Sequence, residues 1–234
     1  MTIGQIPLTQ LALIFIPVAV VVVIQWKWSL TYRDTLYGLS RMVAQLLAVG
    51  YVLVFLFESE SSLTVSVTLF IMIAVSSWIA LRPLGESRPS LYWIALFSIT
   101  AGCLPVLMLS TQLVIDVEPW YAPHYLIPLA GIIFANSMNP VSIAGERYQA
   151  ELDHGHSSEK ARYIAMQTAM IPLVNSLMAV GLVSLPGMMT GQVLSGVSPL
   201  IAARYQILVM CMLFSASGIS VACFLYLWGR QSLR

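Results

Sequence analysis

The chain has 234 residues, of which 59% are hydrophobic and 9% charged, with a mean hydropathy of +0.85. Soluble domains carry about 25% charged residues, so a water-soluble fold is excluded and a polytopic, all-α integral membrane protein is expected. A formal net charge of +1 also argues against a nucleic-acid surface, which needs a concentrated basic patch. Cys103, Cys211 and Cys223 lie in apolar runs without a spaced framework, so neither a disulfide scaffold nor a cysteine zinc site is indicated.

A spanning helix needs about 20 mostly apolar residues. Such runs cover residues 8–26, 38–57, 63–81, 91–110, 121–138, 169–186 and 204–228, which predicts about seven transmembrane helices. Pro123 and Pro128 in the fifth run, and Pro172 and Asn175 in the sixth, predict kinks. The first run follows no basic residue and precedes no small-residue cleavage site, so it reads as a retained span. With the N-terminus outside and the C-terminus cytoplasmic, Lys27, Arg33, Arg41, Arg82, Arg88, Arg147, Lys160, Arg162, Arg230 and Arg234 all fall inside. Arg204 alone falls outside, with the acids Glu58, Glu60, Asp116 and Glu118, and this is the positive-inside pattern of a multi-pass cell-membrane protein.

Residues 1–234 read as one transmembrane domain, and the one substantial polar stretch is 139–168. It holds Glu146, Arg147, Glu151, Asp153, His154, His156, Glu159, Lys160 and Arg162. Gly155 is expected to break it into two short helices, the second opening near Ser157 with Glu159 in its first turn. A solvated connection and a docking surface for a cytosolic partner are about equally compatible with such a charge run.

The catalytic patterns that membrane enzymes use are missing. A retinal Schiff base needs a buried lysine, and Lys27 and Lys160 lie at or beyond membrane edges. No HExxH, P-loop or paired intramembrane aspartates occur, and no histidine sits with a serine inside a span, so the reading is transport without catalysis. Polar groups at membrane depth are costly and mark either a pathway or a helix contact. Asn136 and Asn139 end the fifth run and Asn175 opens the sixth; helix packing is the commoner use of such residues, substrate contact the other. Gly187 and Gly191 have GxxxG spacing, and with Pro186 they also suit a broken helix that places Met188, Met189 and Gln192 along a cavity. Met188 and Met189 offer thioether sulfur, though flexible packing is its usual role. Asp116, Glu118 and His124 are a further, weaker candidate for receiving a metal ion.

The run Gly181-Leu-Val-Ser-Leu-Pro-Gly-Met-Met-Thr-Gly-Gln-Val-Leu-Ser-Gly-Val-Ser-Pro199, continuing to Arg204-Tyr-Gln206, resembles the signature of the FetB family. Ile127-Pro-Leu-Ala-Gly131, Asn136-Ser-Met-Asn139, and Arg41 with Gln45 and Gly50-Tyr51 resemble it too. These are permease subunits of the FetA–FetB ABC transporter, implicated in iron export, with plant relatives linked to aluminium tolerance. The resemblance implies a homodimeric permease of the inner membrane that holds no cofactor itself. A separate FetA-like cytosolic ATPase would bring ATP and magnesium. It also implies a coupling helix near Gly155, with Glu151, His154, Gly155, His156 and Ser157 docking on that ATPase. Three readings follow: a permease exporting iron or another metal, the same machine moving an organic or amphipathic substrate, and a non-transporting scaffold or sensor.

Overall fold

The computed structural model describes residues 7–58 and 61–231; Glu60 and Arg234 lie outside them. The described residues form helices and turns, with one isolated bridge between Val180 and Ser184. Among the described residues, six helices are long and apolar enough to cross a membrane: Thr9–Lys27, Tyr32–Phe57, Ser62–Ala80, Arg82–Val114, Pro123–Asp153 and Pro199–Gln231. The chain divides into two compact units, Met1–Glu58 and Ser59–Arg234.

The first unit is a helix pair. α1 (Leu8–Leu13) runs into α2 (Phe15–Lys27), which turns at residues 28–31 and packs on α3 (Tyr32–Phe57). α2 is apolar all round from Phe15 to Ile24 and α3 from Leu46 to Phe57, the expected pattern where lipid is the solvent.

The second unit holds the core: α4 (Ser62–Ala80), α5 (Arg88–Met108), α6 (Pro123–Asp153), α7 (Ser158–Ala179), α8 (Gly187–Leu194) and α9 (Pro199–Gln231). Two marker contacts give its direction. Leu84, in the 3-10 turn between α4 and α5, lies beside Gly145 of α6, and Gly229 of α9 lies beside Ser158 and Arg162 of α7. The α4–α5 turn, the α6–α7 turn and the end of α9 therefore share one end. The starts of α6 and α9 share the other with the π-helical turn Leu109–Val114, because all three line one cavity. The helices alternate in direction, and α7 carries the chain back between the two ends.

Two expectations from the sequence change here. The run 169–186 is not one helix: α7 stops at Ala179 and the chain turns through Gly181, whose φ is +81°. The helices flanking Gly155 are long, 31 residues in α6 and 22 in α7, so the turn joins the ends of two rods rather than two short helices. α7 falls outside the six apolar candidates because Glu159, Lys160, Arg162, Gln167 and Asn175 dilute its hydropathy.

Without a hydrophobic drive between helices in lipid, close approach of small residues holds such a bundle together. Ala161, Ala165 and Ala169 are wholly buried at four-residue intervals along α7, which packs on α6 and α9. Gly102 brings α5 against α9: a Cβ there would lie 2.7 Å from the Ala216 carbonyl and 2.8 Å from the Ser220 nitrogen. Beside it, the Cys103 thiol donates to Ser137 Oγ at 3.2 Å. Pro140 has no N–H for the Asn136 carbonyl one turn back. Ser217 Oγ on α9 supplies that donor instead, at 3.1 Å.

Candidate functional site

The α6–α7 turn is built from its sequence in a direct way. Gly155 takes φ +80°, the left-handed position that closes a helix. Its N–H reaches the Leu152 carbonyl at 2.9 Å and the His156 N–H reaches Glu151 at 3.1 Å, the paired bonds of a Schellman end. Ser157 caps α7 by accepting the Lys160 N–H at 3.4 Å, and Glu159 stands in the first turn as expected.

Glu151 is the one acid of this turn that is buried, 5% exposed. Its carboxylate takes the Arg147 guanidinium on one oxygen and His156 Nδ1 on the other. The α6 helix is ~46 Å long, well beyond a ~30 Å hydrocarbon core, so this charged end projects past the membrane. The His156 hydrogen bond, helped by Arg147, holds the Glu151 carboxyl below its ordinary range against the opposing effect of burial. His154 Nδ1 donates to the Ala150 carbonyl, so the two histidines serve the turn in different ways. Behind them, the fully buried Tyr148 shares a 2.9 Å hydrogen bond with Ser158 and meets the Trp228 ring edge-on at 4.8 Å. The turn is thereby fastened to the end of α9. Sequence reasoning named the five turn residues and placed Arg147 in the same polar stretch without pairing it with Glu151, for which their four-residue spacing was the available signal. Nor did it find Tyr148, which carries none.

At the other end, a cavity of about 520 Å³ opens between the start of α6, α8 and the first half of α9. Of the residues named from sequence, His124, Met188 and Gln192 line it. Tyr125, Tyr205 and Met212 join them from α6 and α9. Gln192 Oε1 is buried without a hydrogen-bond partner among the described residues. Closer to the turn, Asn136 and Asn139 line a cleft of about 430 Å³ between α6 and α7, and Asn175 lines another of about 380 Å³ beside the α7–α8 link. Ser176 borders both clefts. Asn136 spends its amide donor on the Ile132 carbonyl at 2.9 Å.

Among the described residues, a Cβ on Gly187 or Gly191 would meet nothing within 4 Å, so the close helix approach suggested by their spacing is not made there. The broken-helix geometry is what α8 displays: eight residues that place Met188 and Gln192 on the cavity wall. Among the described residues, no three His, Cys, Asp or Glu side chains gather as metal ligands, and Asp116 and Glu118 do not line the His124 cavity.

The profile of the Uncharacterised protein family (UPF0014) matches residues 8–233. The chain is 34% identical to the UPF0014 membrane protein slr1647 of Synechocystis, covering 86% of this chain and 84% of that one. It is 34% identical to the Probable iron export permease protein FetB of Escherichia coli, covering 92% and 88%. It is 30% identical to Protein ALUMINUM SENSITIVE 3 of Arabidopsis thaliana, covering 87% and 81%. No solved structure matches the chain significantly. With that sequence pattern running through both helical units, the chain is a multi-span membrane protein of the UPF0014 family.

Proposed function

We propose that the chain is the permease subunit of an ATP-driven transporter in the cell (inner) membrane. It works as a homodimer with a separate ABC-type cytosolic ATPase that binds ATP and magnesium. The E. coli relative is named for iron export, and iron export is the first activity to assign here. The observation that carries the reading is the mechanical continuity of α6 and α7. Each runs unbroken from the Gly155 turn to the clefts lined by Asn136, Asn139 and Asn175. A push on the turn from an ATPase would therefore move the cleft walls. The positive-inside rule puts that turn, with Arg82, Arg88, Arg147, Lys160, Arg162 and Arg230, in the cytoplasm where such a partner would be.

A second reading of the cargo, an organic or amphipathic molecule, is favoured by the apolar wall of the α8 cavity and by the lack of a metal-ligand cluster among the described residues. The experiment is purification of the tagged chain in mild detergent, with assay of any co-purifying ATPase. An ATPase in near-equal amount, stimulated by iron, supports iron export, and stimulation by organic compounds alone supports the second reading. A chain that emerges alone under several mild conditions would overturn the ATPase partnership and leave the scaffold or sensor reading.

A further inference from the structure

The turn between α4 and α5 fixes a guanidinium in place without giving it a counter-ion. Trp78 stands in the last turn of α4, where carbonyls lack an intrahelical partner. Its carbonyl takes Arg88 Nε at 2.9 Å and Nη2 at 2.6 Å, and the guanidinium carbon lies 3.8 Å from the centre of the Trp78 ring. The carbonyl and the negative ring face together hold the head of Arg88 at the start of α5. Among the described residues, its other N–H groups have no acceptor and no carboxylate pairs with it. The turn does not cancel the charge, since Arg82, Glu86 and Arg88 sum to one net positive charge. Nor do the helix dipoles, because the negative end of α4 and the positive end of α5 meet there and offset each other.

The groups around Arg88 follow the order of a membrane surface. Trp78 meets the Tyr92 ring edge-on at 5.7 Å, and Tyr92 meets Trp93 in the same way at 5.4 Å, so aromatic rings run on from the guanidinium. The Tyr92 hydroxyl donates to the Ala74 carbonyl at 3.3 Å and ties the two helices together. Trp78 is 43% exposed and Trp93 72%. About one turn farther from the charged end, Val75 on α4 and Phe97 on α5 are exposed as well. A cation, then a belt of rings, then an apolar wall is the sequence of groups at a bilayer interface. The positive-inside rule places this turn on the cytoplasmic side, against the leaflet that carries anionic lipid.

We propose that the α4–α5 turn binds one anionic phospholipid of the cytoplasmic leaflet, its phosphate held by the remaining N–H groups of Arg88 and its acyl chains laid along Trp78, Trp93 and Phe97. A guanidinium serves two acceptors at once because its N–H groups fan out in a plane, here toward a carbonyl and a phosphate. An inorganic phosphate would meet Arg88 alone, whereas a phospholipid also covers the exposed rings. A zwitterionic headgroup brings its own cation and gives up the net attraction. The site is remote from the Asn-lined clefts in its residues and does not depend on the transport reading.

The test uses the full chain in a neutral detergent, with dioleoylphosphatidylglycerol and dioleoylphosphatidylcholine as probes of equal chain length, and native mass spectrometry to read the first bound lipid. The wild type is expected to bind phosphatidylglycerol about fivefold more tightly, the contribution of one arginine near a membrane surface. Arg88→Gln should bind the two lipids alike. Arg230→Gln removes an equal charge from a guanidinium that stands 5.8 Å from the Tyr226 ring, and it should keep the preference. Should Arg88→Gln fail to fold, phenylglyoxal modification of the wild type, mapped by peptide, reads the same contact. Phosphatidylglycerol should slow modification of Arg88 severalfold while leaving Arg230 unchanged, and phosphatidylcholine should slow neither. Equal affinity of the wild type for both lipids, as cover by a second copy would produce, would overturn the site. So would an equal loss of preference in Arg88→Gln and Arg230→Gln, which marks diffuse surface charge, or equal protection of the two arginines. Protection of Arg88 by inorganic phosphate as strong as by phosphatidylglycerol would overturn the lipid as its ligand.

Discussion

Gly155 concentrates the requirements of the α6–α7 turn in one position. A side chain at φ +80° meets its own carbonyl, a strain of about 1–2 kcal/mol for most residues and less for Asn. The open space around its Cβ position means that no packing clash adds to this. Gly155→Val is expected to lower thermal stability in detergent by that amount and to weaken ATPase stimulation, while Gly155→Asn retains most of both. Glu151 makes a different prediction, through protons. Its carboxyl titrates below the ordinary value of about 4.3 because His156 and Arg147 favour the charged form. A depressed value means the native state gains from the charged form at every pH above the unfolded value, and loses that gain as pH falls through the folded one. The melting-temperature gap between wild type and Glu151→Gln should thus hold from pH 8 to 5 and close below about pH 4. A gap that persisted undiminished well below about pH 4 would contradict the Arg147–Glu151–His156 arrangement.

Among elements, α5 and α9 approach closely at Gly102. A Cβ on Gly102 falls within 3 Å of α9 backbone atoms, which cannot retreat without moving the helix. Gly102→Ala should cost ~1–3 kcal/mol through overpacking, read as an earlier unfolding transition. Gly218→Ala, where the nearest neighbour is the flexible end of Met170 at 3.9 Å, should be tolerated. The hydropathy pattern made the long helices legible, and the Gly155 break with its Ser157 cap was legible because a left-handed glycine and a capping serine act locally. The end of α7 was not, since residues 169–186 remain apolar through a turn that Gly181 forms by backbone geometry. The α8 cavity was legible in part. Residues 186–196 announced a broken helix, but Ser110, Tyr125 and Tyr205 join it from positions far apart in the chain, and no periodicity links them.

For the molecule as a whole, the open quantity is the number of crossings, and α7 decides it. Hydropathy alone counts six helices, which would put both chain ends on one side of the membrane. The geometry of the second unit argues for one more. α7 leaves the end marked by Gly229 and returns the chain to the end marked by the His124 cavity, and its 22 residues rise ~33 Å, enough to cross. Its polar residues Gln167, Asn175 and Ser176 would be costly against lipid. Asn175 and Ser176 are accounted for by the clefts they line, since polar groups at this depth are tolerated beside a cavity. Single cysteines at positions 157 and 195, in a chain with Cys103, Cys211 and Cys223 replaced by serine or alanine, test this directly with a membrane-impermeant maleimide on intact cells. Position 195 should label at once and position 157 only after the membrane is opened, with residue 7 labelling like 195. Labelling of 157 and 195 from the same side would remove the α7 crossing, and with it the route by which a push on the Gly155 turn reaches the clefts.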